Sequence, residues 1–196
     1  MTCTIAQHGL VRRVVISGCS GGGKSSLLDE MQRRGFAVMP EVGRQVVVAQ
    51  LQTDGDAVPW KNWRRFLELC VERGINQHRA AGGLSVSIVL FDRSLIDNTM
   101  DDALSDHLRK IRNDHRYDPV VYFTPPWPEI YRIDNERRHD FASALENYAR
   151  LQIAYPALGY QVVEIPKVSV SDRADWLSER LKHRKMHSKL ASMRAG

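Results

Sequence analysis

The residues with the clearest chemical meaning are Gly18-Cys19-Ser20-Gly21-Gly22-Gly23-Lys24-Ser25, which fill the pattern G-x-x-x-x-G-K-[ST] completely. Glycines let backbone N–H groups turn inward around phosphate oxygens. A helix starting at Lys24 adds partial positive charge from its N-terminus. Lys24 is expected to reach the β- and γ-phosphates, and the Ser25 hydroxyl to coordinate magnesium. Gly18, Cys19, Ser20, Gly21, Gly22, Gly23, Lys24, Ser25 and Ser26 are therefore the candidate nucleotide-binding residues, with ATP and Mg2+ as cofactors. A glycine-rich turn that happens to precede Lys-Ser would match too, but here the pattern sits between an apolar strand and a helix.

Phosphoryl transfer also needs a metal holder and a group that orients the nucleophile. Asp92 ends an apolar run and is followed by Arg93-Ser94; Glu41 stands in Pro40-Glu41-Val42-Gly43-Arg44. Both fall at the ends of expected strands, the edge of an α/β sheet where ligands bind. Asp92 joins Ser25 as a candidate metal ligand. The plainer alternatives are a helix cap or a pair with Arg93 for Asp92, and a first-turn acid favoured by the helix dipole for Glu41. A third stretch, 125–140, contains Arg132, Arg137 and Arg138. As a lid it would bring positive charge to the transferring phosphoryl group; as an exposed helix it would pair those arginines with Asp134 and Glu136.

The elements that must position these groups alternate between apolar runs and helical patterns, which predicts βαβ units and a parallel sheet. Strands are expected at 12–17, 36–39, 85–91, 119–124 and 160–165. Helices are expected from Lys24 to near Gly35, over about 41–51, from Pro59 onward, after Ser94, over 141–155 and from Ser171, which would cap the last one. Along the Pro59 helix, Trp60, Trp63, Phe66, Leu67 and Cys70 recur at helical spacing.

Length and composition bound the rest. The 196 residues are 43% hydrophobic and 26% charged, which fits one domain with its own core. No apolar run approaches the roughly 20 residues of a membrane span, and 1–10 contains Gln7 and His8 rather than a cleavable apolar segment. The expected address is cytoplasmic. Three cysteines, Cys3, Cys19 and Cys70, without C-x-x-C spacing, supply neither a disulfide framework nor a zinc site. The net charge is +5. Lys182, Arg184, Lys185, Lys189 and Arg194 account for all of it, so 1–181 sums to zero. That distribution argues for a basic C-terminal tail over 182–196 and against a nucleic-acid-binding face, while leaving a polyanion-binding tail open.

Taken together, the phosphate loop, Pro-Glu-x-x-Arg at 40–44 and Phe-Asp-Arg-Ser at 91–94 resemble the AAA-28-type P-loop ATP-binding domain. Tyr131-Arg132-x-Asp134-x-Glu136-Arg137 and Gly159-Tyr160-x-Val162-Val163 extend the match over roughly 11–181. That family is similar to the ribosylnicotinamide kinase-like, deoxynucleoside kinase and thymidylate kinase group. The resemblance implies that Glu41 is the base for an acceptor hydroxyl, Asp92 lies near magnesium and Arg93 touches phosphate. Asp92-Arg93-Ser94 differs from the deoxynucleoside kinase signature Glu-Arg-Ser by one methylene.

The expected fold is a three-layer α/β P-loop sandwich over 1–181, with a five-stranded parallel sheet in kinase-like order 2-3-1-4-5. The expected function is transfer of the ATP γ-phosphoryl group to a small nucleoside, nucleotide or related metabolite, using Lys24, Glu41, Arg93, Arg132 and Arg137. Two rivals stand beside it: an ATP-dependent regulatory switch acting on a protein partner, and a polynucleotide 5′-kinase. A GTPase is disfavoured because no Asn-Lys-x-Asp sequence occurs.

Overall fold

The computed structural model describes residues 11–99, 106–131 and 141–194, with side chains described as far as Lys182. The strands are β1 (Arg12–Gly18), β2 (Ala37–Met39), β3 (Ile88–Asp92), β4 (Val120–Thr124) and β5 (Gln161–Glu164). The helices are α1 (Lys24–Arg33), α2 (Val42–Gln52), α3 (Trp63–Gly82), α4 (Asp106–Asp114), α5 (Phe141–Ala157) and α6 (Val170–Arg194). All strands run parallel in the order β2-β3-β1-β4-β5. Every strand therefore ends at the same edge, and the loops that leave this edge gather the candidate residues.

The alternation along β1 explains the layers. Val14 and Ile16 face one side, with Leu27, Leu28 and Met31 of α1 and Ala174, Leu177 and Leu181 of α6. Val15 faces the other, with Phe91, Phe123, and Ala144, Tyr148, Leu151 and Tyr155 of α5. A strand covered on both faces reads as an unbroken apolar run, which is why β1 and β4 were legible. Each such side chain, fully buried, contributes roughly 1.5–3 kcal/mol. A third cluster, Val42, Val46 and Val47 with Phe66 and Cys70, fixes α2 on α3.

Several boundaries differ from the expectation, each for a local reason. Helix α3 starts at Trp63, because Asn62 caps it by accepting from the Arg65 N–H at 3.2 Å. Strand β3 starts at Ile88, the residue paired with the first residue of β1; residues 85–87 are exposed. After Ser94 the described chain makes only a turn over 95–98, where Ser94, Asp97 and Thr99 side chains compete for the backbone. The cap of α6 is Ser169, whose Oγ accepts from Asp172 N–H at 3.2 Å, and not Ser171. The backbone of α6 stays helical through the basic segment to Arg194.

Candidate active site

The phosphate loop is pinned from below by β4. Cys19 N–H donates to the Thr124 carbonyl at 2.8 Å. Gly18 has φ +107°, and a Cβ there would sit 2.7 Å from the Thr124 backbone nitrogen. Only glycine tolerates both conditions. Gly23, at φ 79° and ψ 27°, hands the chain to α1, whose N-terminus has no side-chain cap. The first-turn N–H groups of that helix are the natural donors for an anion. Lys24 is buried, with Nζ donating to the Cys19 carbonyl at 2.8 Å. Burial pushes its pKa down to about 8, with Arg93 working in the same direction and Asp92, Glu41 and Asp97 opposing.

Glu41 and Arg93 meet beside this loop. Glu41 occupies the position before α2 but does not cap it; instead its Oε1 pairs with Arg93 Nε at 3.1 Å. Arg93 adopts φ +66°, a left-handed conformation that costs a non-glycine residue roughly 1–2 kcal/mol. Its N–H donates to the Ile16 carbonyl at 3.0 Å, fixing the turn against β1. Its Nη1 donates to Asp97 Oδ1 at 3.2 Å. Burial opposes the charge on Arg93, but Glu41, Asp97 and Asp92 outweigh it and raise its pKa.

Asp97 is one of two site residues, with Arg173, that the sequence did not single out. Its Oδ1 also accepts from Ser17 Oγ. Its Oδ2 accepts from Ser94 N–H at 2.8 Å, Ser94 Oγ at 3.2 Å and Tyr155 OH at 2.6 Å. One buried carboxylate thus ties β1, the turn after β3 and α5 to the guanidinium of Arg93. A signal existed: Ser94-x-x-Asp97 is the capping-box spacing.

Asp92 is 9% exposed, and its buried Oδ1 has no hydrogen-bond partner. Burial first, and Glu41 second, push its pKa up to about 6 against the pull of Lys24 and Arg93. An orphaned carboxylate oxygen is costly unless a cation compensates it. Ser25 and Asp92 line the same cavity, so these two residues fit a magnesium ion, which takes one or two protein oxygens and completes its shell with water and phosphate. Among the described residues no group of three or more His, Cys, Asp or Glu forms an all-protein metal cage.

Two cavities meet at Glu41. One, of about 290 Å³, is lined by Ser20, Gly21, Gly23, Lys24, Ser25 and Ser26, with Arg93 and Arg173 on its walls. The other, of about 870 Å³, runs between α1 and α2 and is lined by Asp29, Gln32, Gln45, Arg44, Arg73 and Asp92 among others. Ser25 and Glu41 line both. The fold therefore brings Gly18 to Ser26, Glu41, Asp92 and Arg93 to one edge. Arg132, Arg137 and Arg138, with Asp134 and Glu136, lie outside the described residues. Among the described residues no helix is long and apolar enough to cross a membrane.

A family model described as AAA domain matches residues 13–173. No curated protein matches the chain. Among solved structures, the NadR protein in complex with NR is similar at a TM-score of 0.62 and 18% identity, over 81% of this chain and 46% of that one. This chain thus spans about half the length of NadR. Shikimate kinase from Acinetobacter baumannii in complex with shikimate aligns at a TM-score of 0.56 and 12% identity, covering 89% and 95% of the two chains. Thymidylate kinase from Candida albicans aligns at 0.55 and 11%, covering 91% and 94%. At these identities the likeness is one of fold, and the sheet order 2-3-1-4-5 is its core.

Proposed function

This chain belongs to the AAA-domain family, and on that premise we propose that it is an ATP-dependent phosphotransferase acting on a small metabolite such as a nucleoside or nucleotide. The observation that carries the reading is the placement of Glu41. Glu41 lines both the phosphate-loop cavity and the larger cavity between α1 and α2. A group that takes a proton from an acceptor hydroxyl must stand at that junction, within reach of both reactants. Sharing of the fold with proteins named as shikimate kinase and thymidylate kinase supports the reading.

In this reading the loop N–H groups and Lys24 cradle the ATP phosphates, and Lys24 leaves the Cys19 carbonyl to do so. Glu41 accepts the acceptor proton, and Arg93, fixed by Asp97, meets the charge that spreads over the phosphoryl oxygens. A magnesium ion, held by Ser25 and Asp92, would neutralise charge on the phosphates when bound. The segment 125–140 serves as the lid, with Arg132 and Arg137 as its charged groups, and 1–181 acts as one catalytic domain. A thermal-shift screen of nucleosides, nucleotides and other small hydroxylated metabolites, run with magnesium and a non-hydrolysable ATP analogue, tests the acceptor site. At least one class should add stability beyond the analogue alone, and lose that gain in a variant of the α1–α2 cavity such as Arg73→Ala. No added stability from any class would count against a small-molecule acceptor.

A further inference from the structure

Arg173 is buried on α6 at 4% exposure, 150 residues after the loop it touches. Its Nη1 donates to the Gly22 carbonyl at 3.4 Å and the Gly23 carbonyl at 3.3 Å. Its guanidinium lies 5.3 Å from the centre of the Trp127 ring. The Nε is buried without a hydrogen-bond partner. Among the described residues no carboxylate pairs with Arg173, and burial, with no opposing charge, pushes its pKa down. A positive charge is therefore held out of water by neutral carbonyls and an aromatic face, and among the described residues no anion balances it.

Uncompensated buried charges are costly, and a fold retains one where something else supplies the counter-charge. Arg173 lines the phosphate-loop cavity together with Lys24 and Ser25. A Cβ on Gly23 would approach its Nη1 to 2.7 Å, so loop and guanidinium are in direct contact. The competing role is that of a strut, which would hold the Gly22 and Gly23 carbonyls outward and never meet the ligand. Two bonds of 3.3 and 3.4 Å, at the long end for N–H···O, do little to balance a desolvated guanidinium.

We propose that Arg173 is a nucleotide-binding residue whose counter-ion is the polyphosphate of the nucleotide held in the loop. The inference rests on the nucleotide-binding reading above, and its test separates the two. Titration calorimetry with ADP and with inorganic pyrophosphate is run on wild type, Arg173→Met and Arg173→Lys, beside melting curves without ligand. Methionine keeps the apolar stem and removes the charge. Arg173→Met should melt at or above wild type without ligand and bind both probes about 10–100-fold more weakly, the size of one charge-assisted contact. Arg173→Lys should lose less affinity than Arg173→Met. A lower ligand-free melting temperature in Arg173→Met, including failure to fold, overturns the inference in favour of the strut. Wild-type affinity in Arg173→Met, or equal losses in the two variants, also overturns it. Failure of wild type to bind either probe overturns the nucleotide reading itself, a result distinct from all of these.

Discussion

Replacing Asp92 by Asn should have opposite effects in the free and liganded protein. Without ligand, the carboxylate is nine-tenths out of water with one oxygen unsatisfied, and its pKa rises from 3.8 to about 6. At about 1.4 kcal/mol per pH unit, the ionised form costs about 3 kcal/mol of stability. The sign follows from proton binding. Between pH 4 and 6 the folded state holds this proton more tightly than the unfolded chain, so wild type loses this stability as pH rises through about 6. Asp92→Asn escapes that loss. Its ligand-free melting temperature should exceed wild type by about 6–12 °C at pH 7.5, using about 2–4 °C per kcal/mol for a chain of this size. The two should converge near pH 4, where both carry a neutral group. With magnesium and a non-hydrolysable ATP analogue, wild type should recover the difference while the variant gains less, because its metal ligand is gone. Melting curves at pH 4, 6 and 7.5, with and without ligand, measure all of this. A variant less stable than wild type without ligand would show that Asp92 carries no burial cost, and one that gains as much from the magnesium complex would show that Asp92 does not hold the metal.

Glu41→Gln should leave affinity for the magnesium-bound ATP analogue unchanged and slow transfer by about 10²–10⁴-fold in single-turnover assays, as expected when a general base is removed. Asp97→Asn removes the charge that holds Arg93, Ser17, Ser94 and Tyr155 together, and should cost about 3 kcal/mol in chemical denaturation. Gly18→Ala drives a methyl into the Thr124 backbone at a left-handed position, and should lower stability by at least about 2 kcal/mol while weakening nucleotide binding in titration calorimetry.

What was legible in the sequence was what is local. The phosphate loop is a contiguous motif, and the strands β1 and β4 are unbroken apolar runs. The parallel sheet follows from their alternation with helices. Glu41, Asp92 and Arg93 were legible because each lies within two residues of a strand end, and in a parallel sheet those ends share one edge. Asp97 and Arg173 were not. Asp97 matters through Ser17 and Tyr155, which are 80 and 58 residues away, and Arg173 through glycines 150 residues earlier. No periodicity connects such positions; only the packing of α5 and α6 against the sheet does. The starts of β3, α3 and α6 moved because a pairing register and two capping side chains, Asn62 and Ser169, outweighed the hydrophobic pattern.

Acceptor-dependent phosphoryl transfer from the loop cavity across Glu41 is the activity proposed for this chain. Labelled γ-phosphate should be followed from ATP into acceptor in the presence of magnesium, in wild type and in Lys24→Ala, with melting temperature recorded on the same samples. Label should move into at least one small metabolite in wild type. In a folded Lys24→Ala the transfer should be almost completely lost. Label released only as free phosphate whatever acceptor is added, or wild-type transfer in folded Lys24→Ala, would exclude this phosphotransferase activity.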